Sequence, residues 1–296
     1  MAFINCLRDL LIRWFGVQDI GASVRGRLRT ILRLGILLPA FCHLGWAEEL
    51  DEVPSYTYAV FAGTGVYKVD DRDVFVLRIP ARYEFRPPTT EKFGAKLLLP
   101  VTLGISNFDN LEELETEDLA TIAFVPGIEL DFLATPDWSI KPFAQIGYGW
   151  ELNSGDTDVI WGAGLKTRYE IVRSDWRTWL GAEYLLAGKS PTDSDPSTNV
   201  DRISAGIDVS HPIKWSIAER RTSLHGRVIY RNFTDELIIR TYDPDAPIEI
   251  NQSTEVAVAL GVEPAIKFLG IPVNQLGLGY RFGDYEAIVL ATTFPF

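Results

Sequence analysis

Cysteine is nearly missing from this sequence. The chain has 296 residues and two cysteines, Cys6 and Cys42, both within the first 47 residues. Beyond that leader no internal disulfide can form, and no thiolate is available for a metal or redox centre. Histidine is scarce as well: His43 lies in the leader, leaving His211 and His225 beyond it. No apolar run past residue 47 is long enough for a membrane-crossing helix, although 47% of all residues are hydrophobic. No H-E-x-x-H helix, Walker loop or glycine-rich dinucleotide fingerprint occurs. Neither a cofactor nor a metal is expected.

What is present begins with "VRGRLRTILRLGILLPAFCHLGWA", residues 24 to 47. Arg25, Arg27, Arg29 and Arg33 form a positive stretch, and an apolar core runs from Leu34 to Leu44. Gly45 and Ala47 are small residues before a cut at Glu48. This is the physical pattern of a secretory signal peptide. The expected division is therefore a leader, 1–47, and one body, 48–296. Residues 1–23 exceed what a signal peptide needs and are read as an upstream start codon. The leader holds six basic and two acidic residues, so the body keeps 22 basic against 38 acidic, a balance of −16. An acidic body repels phosphate backbones, which excludes nucleic acid as the expected partner.

From Ser55 onward hydrophobicity alternates with a period of two, the mark of strands with unlike faces. In "SIKPFAQIGYGWEL", Ile140, Pro142, Ala144, Ile146, Tyr148, Trp150 and Leu152 oppose Lys141, Gln145, Gly147, Gly149 and Glu151. About twelve such strands are expected: 55–63, 74–85, 93–106, 119–132, 139–152, 158–171, 176–187, 199–211, 222–233, 252–263, 273–282 and 286–296. They exceed the usual soluble strand and match the roughly nine to eleven residues of a tilted membrane-crossing strand. The expected fold class is all-β: a transmembrane, antiparallel, up-and-down barrel. Long polar connections, such as "DNLEELETED" and "GKSPTDSDPSTN", alternate with short ones, such as "TPDW" and "RSDW". Three segments fit this alternation poorly: "HPIKWSIAER" and "PAIKFLGIP" are long for turns, and "GDYE" is short for an outer loop. Trp138, Trp176 and Trp215 fall at the short connections, where an interface girdle belongs. Against closure, Pro80, Pro100, Pro126 and Pro142 sit inside four successive strands. Proline cannot donate to a ladder, so bulges or a dent in that wall are expected.

The last residues, "YEAIVLATTFPF", resemble the terminal strand of bacterial outer-membrane barrels. There a final Phe after alternating apolar residues belongs to the signal read by the barrel-assembly machinery. Ile288, Leu290, Phe294 and Phe296 match that pattern on one parity. With about twelve strands, the chain further resembles the solitary outer-membrane autotransporter-type barrels that lack a passenger. The resemblance implies an integral, porin-like protein of a Gram-negative outer membrane. Its implied partners are membrane lipids, lipopolysaccharide, periplasmic chaperones and the assembly machinery. Autotransporters carry a lumen-filling helix before the first strand; here only "EELDEVP" is left for one, so none is expected. The alternative fold is a secreted soluble β-barrel binding protein.

Strand parity puts Arg78, Arg82, Lys96, Lys141, Lys166, Arg168, Arg177, Arg202, Arg227, Arg231 and Arg281 in the lumen. Opposing them are Glu84, Glu129, Asp131, Glu151, Glu170, Glu183, Asp208, Glu255 and Glu263. Eleven basic against nine acidic residues can pair across the bore and narrow it. The expected function is non-enzymatic: a structural barrel or a narrow, low-conductance pore. The alternative is a lipid-modifying hydrolase of the outer membrane, for which Ser210–His211 and Ser223 with His225 are the available pairs. His225 is expected to face the lumen beside Arg227, without the third group that an active nucleophile requires. The carboxylates of "DNLEELETED" could bridge calcium to lipopolysaccharide, but they lack the spacing of a calcium loop.

Overall fold

The computed structural model describes residues 59–69, 72–106, 119–152, 155, 157–191, 198–217, 219–239, 248–268 and 271–296. The expected signal peptide, "EELDEVP" and the acidic run 109–118 lie outside them. All described residues fall in one compact unit, Glu49–Phe296.

A four-residue helix, α1 (Ala59–Ala62), precedes thirteen strands. These are β1 (Gly65–Val69), β2 (Arg72–Arg86), β3 (Gly94–Ser106), β4 (Leu119–Phe124), β5 (Gly127–Thr135), β6 (Trp138–Glu151) and β7 (Thr157–Arg173). Then follow β8 (Trp176–Pro191), β9 (Thr198–Ile217), β10 (Arg220–Ile239), β11 (Ile248–Phe268), β12 (Ile271–Gly283) and β13 (Glu286–Ala291). Apart from β4 and β5, which do not pair with each other, sequence neighbours pair antiparallel, and β1 pairs with β13. β4 and β5 both lie between β3 and β6, so they are one wall position broken in two. The result is a closed, up-and-down barrel of twelve wall positions.

Closure follows from the alternation. Along β6 every second residue from Ser139 to Gly149 is buried, and Ile146, Tyr148 and Trp150 are exposed. The outer surface is a band of large apolar side chains, including Leu278 at 65% exposure, Ile288, Leu276, Val258 and Leu165. The inner surface carries buried Glu129, Asp131, Lys141, Asp208, Arg227, Arg231, Glu255 and Arg281. A water-soluble domain has the reverse arrangement; a strand wall surrounded by hydrocarbon has this one.

Three expectations are corrected, and one misfit with the long-loop pattern stays. The first strand is not 55–63. Residues 59–62 are helical, and the strand is Gly65–Val69, inside a stretch that reads as loop. The last strand stops at Ala291 instead of running to Phe296. The long turn segments are strand: β9 runs to Ile217 and β11 to Phe268, each with a register shift near its end. Hence the connections at that end shrink to residues 136–137, 174–175, 218–219 and 269–270, with 87–93 the exception. Finally, "GDYE" remains a tight turn at the loop end. Gly283 there has a φ of 142°, and the Asp284 carboxylate accepts the Asn251 and Gln252 N–H groups at 2.6 and 2.9 Å.

The prolines fit because of where their missing N–H groups would point. The Arg78 N–H faces Thr64 Oγ1 at 2.9 Å, on the β1 side. Two residues on, Pro80 presents its nitrogen to the same side, beyond the Gly65–Val76 end of the β1–β2 ladder. Its register partner across β3 is Pro100. With neither nitrogen directed at the other, this is a non-hydrogen-bonded pair of an antiparallel ladder. Pro100 in turn faces the break between β4 and β5, where Pro126 sits. Pro142 meets a gap in the β5–β6 ladder between Glu129 and Phe132. The expected dent is thus an interrupted wall position, with three prolines beside it in a row.

Candidate functional site: the filled lumen

Among the described residues two chain segments occupy the interior. The first is α1. Val60 packs with Ala123, Val125 and Ile160, and Phe61 packs against the cluster of Phe143, Leu185 and Ala187. Arg202 Nη1 donates to the Phe61 carbonyl at 3.2 Å, and Arg281 Nη1 to that of Ala62 at 3.3 Å. The expectation that no helix fills the lumen is therefore corrected. Residues 59–62 lay within an apolar stretch that alternation alone reads as strand.

The second segment is Thr292–Phe296. Ile288 and Leu290 lie on the outer face, but Phe294 and Phe296 do not share it. The chain leaves the ladder after Ala291, and Phe296 is buried at 4% exposure. Its ring occupies the space where side chains at Gly181 and Gly206 would stand. Lys141 Nζ donates to its main-chain oxygen at 3.2 Å, and Phe294 meets it edge-on at 4.9 Å. The four residues of the expected assembly signal are thus split between the two faces of the wall.

Around these plugs the charges pair along the wall, between adjacent strands or, for Lys166 and Glu129, over one intervening strand, which corrects the expectation of pairs across the bore. Lys96 reaches Asp131 at 3.1 Å and Glu129 at 3.7 Å. Lys166 lies 3.5 Å from Glu129 and 3.9 Å from Glu183, which Arg202 holds at 2.7 Å. Glu255 accepts from Arg231 at 2.8 Å and from Arg281 at 2.9 Å. Low dielectric strengthens such pairs and makes breaking one expensive. Arg78, Arg168 and Glu151 are half-buried on the inner parity, while Arg82 is exposed. Glu170 pairs with Arg177 at 3.0 Å near the short-turn end. At that end stand the three tryptophans. Trp138 donates Nε1–H to Thr167 Oγ1 at 2.7 Å, Trp176 stacks on His211 at 4.5 Å, and Trp215 is 74% exposed.

Below Phe296, towards the short turns, polar side chains of β9, β10 and β12 converge. His225 Nδ1 is 2.8 Å from Asp208 Oδ1, and His225 Nε2 is 3.0 Å from Ser223 Oγ. Arg227 Nε donates to Asp208 Oδ2 at 3.0 Å and its Nη2 to Gln275 Oε1 at 2.9 Å. The Trp179 ring lies parallel to the imidazole, 5.7 Å away and tilted by 8°. Asp208 and His225 are buried at 0% and 4%, whereas Ser223 is half-buried. Sequence parity put His225 and Ser223 on one face. It did not single out Asp208 as their partner, because that contact depends on the β9–β10 register. His211, the other candidate, stacks on Trp176 instead. Among the described residues no three His, Cys, Asp or Glu side chains group as a metal site.

No protein-family model and no curated protein matches the chain. Solved structures do resemble it. The β domain of the Bordetella autotransporter BrkA is 10% identical with a TM-score of 0.45, over 78% of this chain and 96% of that one. LpxR from Salmonella typhimurium is 12% identical with a TM-score of 0.41, over 79% and 91%. The siderophore receptor PirA from Pseudomonas aeruginosa is 11% identical with a TM-score of 0.35, over 75% of this chain and 37% of that one.

Proposed function

We propose that the protein is an integral outer-membrane barrel with an occluded lumen, a membrane-embedded scaffold that passes solutes poorly or not at all. One observation carries this reading: an apolar outer band surrounds an interior filled by α1, Phe296 and paired charges. In a bilayer every backbone donor and acceptor must be paired, and the β1–β13 ladder joins the first strand to the last. The short turns then face the periplasm and the long loops the exterior, as in outer-membrane barrels generally. On this reading membrane lipids and lipopolysaccharide surround the wall, and the barrel-assembly machinery inserts it. A soluble barrel that binds a ligand is disfavoured, because its outer face would expose this apolar band to water.

The test is single-channel recording on the folded chain in a planar bilayer, with outer-membrane fractionation beside it. Wild type should show low or no conductance, and Phe61→Ala should raise it by opening the middle of the bore. A large, steady wild-type conductance, or recovery of the protein in a soluble fraction, would overturn the reading.

A further inference from the structure

We propose that Ser223, His225 and Asp208 form a serine-hydrolase site at the short-turn end of the lumen, acting on the acyl ester of a membrane lipid. The substrate class rests on the membrane placement proposed above; the triad itself does not.

The geometry comes from two strands. Ser223 and His225 are two apart on β10 and share its inner face. Asp208 on β9 is the register partner of Arg227, and Ser210 is that of His225. The Asp208 carboxylate thus stands one pair along from the imidazole and reaches it diagonally. Asp208 Oδ1 accepts the Nδ1–H at 2.8 Å. This fixes the tautomer and leaves the Nε2 lone pair towards the Ser223 hydroxyl, 3.0 Å away. Nucleophile, base and orienter therefore stand in the order that serine hydrolases require. Trp179 holds the ring plane, and Arg227 occupies the second Asp208 oxygen.

Two further residues fit a reacting site. Arg227 takes the Gln275 carbonyl, which turns the Gln275 amide towards the imidazole, 3.0 Å from Nδ1 and 3.4 Å from Nε2. With Nδ1–H committed to Asp208, those amide hydrogens remain beside the Ser–His pair as donors for a developing oxyanion. Gly261 is the register partner of Ser223 on β11. A Cβ there would collide with Ser223 Oγ and come within 2.5 Å of His225 Nε2. A residue larger than glycine would separate the pair.

The reaction balances with water alone. Ser223 Oγ attacks the ester carbonyl carbon as its proton passes to His225 Nε2. The tetrahedral intermediate collapses, and the alcohol departs with that proton. Water then attacks the acyl-serine, again giving a proton to His225, and the fatty acid leaves as Ser223 is reprotonated. The substrate arrives from the short-turn end, where exposed Trp215 and Trp176 stand with exposed Lys214 and Arg221. Tryptophan beside basic side chains suits a headgroup interface.

The experiment labels the folded full chain in detergent with a fluorophosphonate probe and locates the adduct by mass spectrometry. Ser223 should be labelled in wild type. Ser223→Ala should abolish labelling while keeping the unboiled gel mobility of a folded barrel. Asp208→Asn should slow labelling by about 10⁴-fold. Failure to label folded wild type, or equal labelling of Ser223→Ala, would overturn the triad. Mixed micelles of a diacyl phospholipid and a soluble short-chain nitrophenyl ester then serve as paired substrates. Fatty-acid release from the micelles, lost in Ser223→Ala, supports the lipid assignment. Turnover of the nitrophenyl ester alone would overturn that assignment and leave the triad standing. Conductance and fractionation report on the barrel reading independently.

Discussion

The β9–β11 wall and the β1–β13 seam are built from the same kind of ladder at very different lengths. β9, β10 and β11 have 20, 20 and 21 residues, and β10 meets β11 over fifteen register pairs. β1 and β13 have five and six residues and meet over four pairs, from Gly65–Val289 to Lys68–Glu286. One further bond, Leu290 N–H to the Thr64 carbonyl at 2.9 Å, ends the seam. The long wall carries the Ser–His–Asp line and is over-determined. The seam closes the barrel with little to spare, and the segments flanking it, residues 59–63 and 292–296, lie without strand pairing. The Ser–His–Asp contacts thus lie on the long wall and closure on the lean side. Local stability follows the number of buried, paired backbone groups, so seam amides should exchange with deuterium before those of β10. Equal protection of both would refute the contrast.

The largest effect is expected where the two regions are tied together. Glu255 on β11 accepts from Arg231 of the wall and from Arg281 on β12. Arg281 also donates to the Tyr285 hydroxyl at 3.0 Å, immediately before β13. Glu255→Ala leaves two guanidinium groups buried without their carboxylate. Losing one partner of a buried pair costs about 3–5 kcal/mol. Urea unfolding of the refolded protein, read by the shift between folded and unfolded gel bands, should show a loss of that order. A loss below about 1 kcal/mol would place the pair in a solvated channel.

A smaller effect should follow from crowding the seam itself. A Cβ at Gly65 would stand 2.5 Å from the Ile288 carbonyl oxygen and 3.0 Å from Val289 Cα, both backbone atoms of β13. Neither can rotate away. Gly65→Ala should therefore destabilise by about 1–3 kcal/mol and shift the unfolding midpoint accordingly. An unchanged midpoint would show that the seam yields freely and contributes little to closure.

The same contrast explains how much could be read from the sequence. Where strands are long and bounded by unlike media, alternation reveals them: 139–152, expected from polar and apolar parity, is β6 at Trp138–Glu151. At the seam the pattern misleads. Five residues cannot establish a period, and a preceding apolar turn such as "AVFA" imitates one. "TTFPF" carries the alternation beyond the ladder because Phe296 is apolar for a different neighbour, the inner wall at Gly181 and Gly206. The triad was legible in part. Ser223 and His225 share parity on one strand, which sequence displays. Asp208 joins them through a register between strands, which it does not. The four prolines raised a conflict with closure that only the direction of each missing N–H resolves.

The smallest effect is expected from a glycine of the long wall that otherwise invites comparison with Gly65. Gly226 lies between Val209 on β9 and Val258 on β11, with its outer side exposed. No heavy atom lies within 4 Å of a Cβ built there. The added methyl group would enter the apolar outer band and limit the unfolded chain's freedom, and both changes favour the barrel slightly. The substitution also replaces a strand glycine, whose backbone entropy weakens a ladder. Gly226→Ala should accordingly move stability by no more than about 0.5 kcal/mol, in the stabilising direction. Measured beside Gly65→Ala in the same urea series, it separates two explanations. If both variants lose stability alike, alanine is poorly tolerated in any strand of this barrel, and the seam has no special status. If only Gly65→Ala falls, the cost comes from close approach of the β13 backbone, which is what a five-residue closing strand predicts.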